Sequence, residues 1–114
     1  MSPTTDHLIA AEEALAAARE VLPIFEQVEQ HDDRPRKALE ALVAWMKGNA
    51  SVSEVRQAAF DAHEAARDTV DLAARYAARS CGQAASVAHV ATHSPHAIRY
   101  AEKAKGEFAN ANRD

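Results

Sequence analysis

His63, His89, His93 and His96 are the side chains of this 114-residue chain whose type and spacing could do chemistry. His89 and His93 stand four residues apart, so on a helix their rings share one face a turn apart and could chelate a transition metal such as zinc, copper or iron. A structural zinc takes four protein ligands and a catalytic one usually three, which brings in His63 from the preceding helix and His96 just beyond. Other readings stay open. The rings could lie in a helical interface, each bonded to a carbonyl, hydroxyl or carboxylate, as polar groups in an interior generally are. They could also hold a small organic ligand or exchange protons. His93 would then sit at a helix C-terminus, which favours imidazolium, and His96 in a first turn, which favours the neutral ring. No Glu is followed three residues later by His, and no HExxH occurs, so the acidic half of a two-metal site and the metalloprotease signature are both missing.

The second constellation is "HDDRPRK", which gathers Asp32, Asp33, Arg34, Arg36 and Lys37 at a helix start. An acid there meets free backbone donors and the positive end of the helix dipole. A cation there needs compensation, for Arg36 most simply from Asp33 or Glu40. The functional alternative is recognition, with Asp33, Arg34 and Arg36 contacting an anion or a partner's surface. Cys81 reads as a small buried hydrophobe rather than a nucleophile, and Ser80 and Ser86 have no triad context. Trp45 and Met46 read as core.

Five helical segments could position these groups. Thr5 or Asp6 caps a first helix through Leu8, Ala11, Leu15, Ala18 and Leu22, and Pro23 then bends it or starts a new one. A helix beginning at Pro35 buries Ala38, Leu39, Leu42, Trp45 and Met46 and stops at Gly48-Asn49. Ser51 and Glu54 form a capping box for a third, with Val52, Val55, Ala59, Ala62, Ala66 and Val70 on one face and His63 at its edge. The stretch from Ala84 to Thr92 is small or apolar on every side, which predicts a central Ala-rich helix carrying His89 and His93. Ser94-Pro95 ends it and starts a last helix, whose tail frays from about residue 106. The expectation is an all-α single domain over residues 1–114, a bundle of four to five helices without strands.

Thirteen basic against seventeen acidic residues argue against a nucleic-acid partner. No run approaches the length of a membrane span, and the acidic N-terminus does not resemble a signal peptide, so the expected setting is the cytoplasm. With aromatics at only 5%, such a small core could also gain from burying apolar area in a homodimer.

The ordered set "VLPIFE", "DDRPRKALEA" followed by Trp, "AAFDAHEAARD" and "AARSCGQAASVAHVATHSPHAIRYAEKA" resembles a family of small bacterial all-helical proteins labelled putative immunity proteins. The resemblance runs from about Val21 to Ala104. It implies a cytoplasmic protein that neutralises a toxin by binding it. By the same resemblance Asp33, Arg34, Pro35 and Arg36 match the family's acid-Arg-Pro-Arg turn, His63 its "AAH" position, and Gly82, His89 and His93 its Gly then His-x-x-x-His segment. The chain departs from that pattern at Gln83, where the family commonly has His, and by adding His96. A protein-binding module whose helix faces and charged turn clamp a partner is therefore the first functional reading, and a histidine-based metal or small-ligand site, with or without catalysis, the second.

Overall fold

The computed structural model describes residues 3–113. Thr4 opens α1 (Thr5–Val28) by accepting the His7 backbone N–H on its hydroxyl, one of the donors a helix start leaves unpaired. Pro23 lies inside α1 and does not end it. The carbonyl four residues back, which Pro23 cannot pair, belongs to exposed Arg19 and can reach water.

Helix α2 (Arg34–Met46) carries Pro35 in its first turn, and the chain leaves it through Gly48 at φ +79°, a backbone region that glycine enters without penalty. Helix α3 (Val52–Asp68) starts with the predicted reciprocal capping box of Ser51 and Glu54. Val55, Ala59, Ala62 and Ala66 are buried on its inner face, whereas Val52 is exposed and Val70 is 95% exposed. Both valines fall where the chain is only entering or leaving the helix. Val70 follows the extended C-cap Thr69, so the 3.6-residue period no longer governs its direction.

Helix α4 (Leu72–Ser86) is capped by Asp71, and α5 (Ser94–Ala111) continues past Gly106, the point from which fraying is expected. The fold is all-α with five helices and no strand among the described residues. Helix α4 touches all four others, whereas α3 and α5 do not touch each other. The remaining helices therefore surround α4 in the order α5, α1, α2, α3, leaving one side of it open between α3 and α5. Most of the buried apolar positions are alanine; Leu15, Leu22, Phe25, Leu39, Leu42 and Trp45 are the large exceptions.

The central helix is shorter than the sequence predicts. It ends at Ser86, whose hydroxyl donates back to the Gly82 carbonyl at 2.9 Å, a bond that competes with the helical ladder. Residues 87–89 then tighten into i→i−3 bonds, Val90 is extended, and Ala91–His93 make a single 3-10 turn. His7 donates from Nε2 to the Val87 carbonyl and lies 4.9 Å, centroid to centroid, from Trp45. The first turn of α1 therefore receives a carbonyl that α4 releases and closes the core at that end.

Arg34 holds the other end together. It donates to Asp32 at 2.7 and 2.9 Å, to Glu64 at 3.0 Å and to Asp68 at 3.0 Å, tying the start of α2 to the last turns of α3. The Asp32 carboxyl is held below its usual range chiefly by this guanidinium. A network with one shared, half-buried cation outweighs isolated surface pairs. Arg34→Met should lower unfolding stability by about 1–2 kcal/mol in urea titrations, and Arg36→Met, which breaks a single more exposed pair, by a smaller amount.

Candidate functional site

His63 projects from the edge of the buried face of α3 toward α4. Arg79 donates from Nη1 to its Nδ1 at 2.9 Å. Arginine can only donate, so Nδ1 accepts and Nε2 carries the proton of a neutral ring. Burial, and then the charges of Arg79, Arg67 and His93, hold His63 down to about 4. The ring lies flat over Gly82, where a Cβ would stand 2.6 Å from Nε2. Glycine here serves close approach and not a turn, since its backbone is helical.

His93 pairs through Nδ1 with Gln83 Oε1 at 2.7 Å, and its ring centroid lies 5.6 Å from that of His89 and 6.1 Å from that of His96. Its pKa is lowered by burial and then by His89 and His96. These rings do not share a helix face as the four-residue spacing predicts. His89 is exposed in the turn after α4, His93 ends the 3-10 turn, and His96 is exposed in the first turn of α5. The expectation of a dry segment reaching Thr92 holds only as far as Ala88. The early end of α4 swings the following residues outward. Among the described residues no group of three or more His, Cys, Asp or Glu side chains is placed to hold a metal ion.

The charged turn is divided differently from expectation. Arg36 pairs with neither Asp33 nor Glu40 but takes Glu26 of α1 in a two-pronged bond at 2.7 and 2.6 Å. Side chains lean toward the N-terminus of their own helix, so Arg36 in the first turn of α2 reaches back across the loop. Asp33 is exposed and pairs with Lys37 at 3.4 Å. The turn and the histidines thus form separate sites, and both arginines hold helices together. Cys81 is fully buried and its thiol is pushed well up, mainly by burial, as an inert hydrophobe should be.

A third feature escaped the sequence reading. Between the first half of α1 and the start of α5 runs an open groove of about 640 Å³. Ile9, Ala10, Pro95 and Ile98 supply apolar surface, and Asp6, Glu13, Glu102 and Arg99 line it too. None of the three carboxylates forms an ion pair with another described residue. The Ser94 hydroxyl fixes one end by donating to the Ala10 carbonyl at 3.0 Å.

Residues 3–112 match the family described as "Imm-5 like putative immunity protein". The chain belongs to that family. No curated protein and no solved structure matches it. Membership in an Imm-5 like family implies a protein partner. In this Imm-5 like protein the Arg-Pro-Arg turn and the His63–Gly82 contact each join two helices. Arg79 and Gln83, which contact the histidines, went unremarked in the sequence. The available signal was the recurrence of Arg75, Arg79 and Gln83 every four residues along an otherwise Ala-rich helix.

Two outcomes follow from this geometry. Gly82→Ala should cost about 1–2 kcal/mol by forcing the His63 ring aside. In a His63→Ala background the same change should be neutral or stabilising by up to about 1 kcal/mol, since alanine is the better helix former; a denaturation double-mutant cycle reads the difference. Because the folded His63 binds its proton less readily than the unfolded residue at 6.5, stability should be flat above that pH. It should then fall as pH drops from 6.5 toward about 4. Urea midpoints across this window should show a shallower slope in His63→Gln.

Proposed function

We propose that this protein is an immunity protein that neutralises a toxin by binding it, and that the groove between α1 and α5 is the face that meets the toxin. Family membership across nearly the whole chain supports the first part. The second rests on the chemistry of the groove. An apolar patch rimmed by polar groups is the usual form of a protein-docking surface. Its rim has three acids against one Arg99, and none of the acids has an internal counter-charge. The complementary occupant is a toxin segment with apolar residues flanked by Lys or Arg. Such complementarity speeds encounter and rejects wrong partners, which suits a protein that must find its toxin before the toxin finds its target. No catalytic group is required, because covering the toxin is sufficient.

Co-expression with its cognate toxin, sought first among domains encoded near its gene, should restore growth, and the purified pair should form a complex. Ile9→Asp should weaken that complex by about a hundredfold, and Glu13→Lys or Glu102→Lys by about tenfold each with greater salt sensitivity lost. Failure to protect against every neighbouring toxin would sink the immunity reading. Protection that survives all three substitutions, or a dimer mass in light scattering that Ile9→Asp returns to the monomer, would move the interface elsewhere.

A further inference from the structure

Although acids outnumber bases in the sequence, no described carboxylate forms an ion pair with Arg67, Arg79 or Lys103, the cations bordering the gap between α3 and α5. Arg79 is half-buried on the floor of that gap. Its hydrogen-bond partner is the neutral His63 ring, and no described carboxylate forms an ion pair with it. The other well-anchored arginines are satisfied: Arg34 and Arg36 by carboxylates, and Arg75 by the carbonyls of Ala66 and Thr69. A partly desolvated guanidinium facing only a neutral ring is unfavourable by itself.

Its surroundings add to the imbalance. Arg67, one helical turn beyond His63 on α3, stands on the same face of that helix, and His93 beside α5 pairs with the neutral Gln83, so neither brings negative charge. The acids flanking Arg67 in sequence, Glu64 and Asp68, are turned onto Arg34. On the α5 side Lys103 sits over the rings of Tyr76 and Tyr100, at 5.5 and 5.6 Å, again without a described carboxylate partner. His63 Nε2–H has no hydrogen-bond partner among the described residues and is not sealed from solvent. Because the backbones of α3 and α5 do not approach each other, no described helix lies across the Arg79 side of α4.

We propose that the gap between α3 and α5 is a binding site for a doubly charged oxyanion of the phosphate class, held by Arg79 with help from Arg67 and the Nε2–H of His63. The guanidinium fork matches paired oxygens on a tetrahedral centre. The charges of Arg79, bonded to His63, and of Arg67, one helical turn from it, balance a dianion, where a single carboxylate would leave one charge over. The site lies apart from the acid-rimmed groove of α1 and α5, so it stands or falls independently of toxin binding.

The test uses the full, tag-free protein at pH 7 and constant ionic strength, titrated with inorganic phosphate, with glycerol phosphate, and with chloride as control. NMR follows the Arg79 side-chain N–H and the His63 ring. Saturable shifts below about 10 mM with either phosphate compound, absent with chloride, support the site. Tighter binding of glycerol phosphate identifies an esterified ligand, and tighter binding of the inorganic ion identifies free phosphate. Arg79→Gln should weaken binding at least about tenfold, and Arg67→Gln, an exposed position that leaves the fold intact, at least about threefold. Shifts that fail to saturate, that chloride reproduces, or that keep their affinity in Arg67→Gln would overturn the proposal.

Discussion

The close approach of neighbours to α4 is the constraint on which the rest of the molecule depends. The buried surface of that helix is made of Ala73, Ala74, Ala77, Ala78, Ser80, Cys81, Gly82, Ala84, Ala85 and Ser86, so there is little side chain to hold other backbones away. Interhelical distance follows the size of the residues at the contact. Small residues give up some transfer energy per residue and gain it back through dense, extended contact. One such close contact is that of His63 against Gly82, where an imidazole fills the space a methyl group would need. A helix packed in this way tolerates few polar groups: Ser80 and Ser86 are buried with their hydroxyls bonded to carbonyls, and the longer Arg75, Arg79 and Gln83 reach the outer edge.

Charge then does what large side chains do in other bundles. Arg34 joins the α2 start to the α3 end, Arg36 joins α2 to α1 through Glu26, and Lys105 reaches Glu20 from α5 to α1 at 2.7 Å. Thr69 adds a hydrogen bond from the α3–α4 turn to Glu29 at 2.8 Å. These links lie at the ends and edges of helices, where alanine packing is thinnest. Acids occupied in this way cannot neutralise the α3–α5 gap, while those of the α1–α5 groove remain unpaired. An excess of acid in the sequence therefore coexists with two faces of opposite character.

Local signals were legible in the sequence, and distant pairings were not. The box of Ser51 and Glu54, Pro35 in a first turn, Gly48 after α2 and the buried stripe of Leu39, Leu42 and Trp45 each depend on residues within a turn or two. The end of α4 was misplaced because composition from Val87 to Thr92 favours burial without favouring a helix; the bond from Ser86 back to Gly82 decides it. Arg36 with Glu26, Arg79 with His63 and Arg34 with Glu64 join residues 10 to 30 positions apart. Periodicity carries no information about such partners. The groove between α1 and α5 escaped for the same reason, since its walls come from opposite ends of the chain.

Trp45, the sole tryptophan, packs at a tilt of 57° against the His7 ring that donates to the Val87 carbonyl. Its indole therefore senses three separated parts of the chain at once: its own helix, the beginning of the first and the exit of the fourth. Intrinsic fluorescence is consequently a readout of closure at this end of the molecule, distinct from helix content. Loosening that left every helix intact would still change the colour and intensity of its emission.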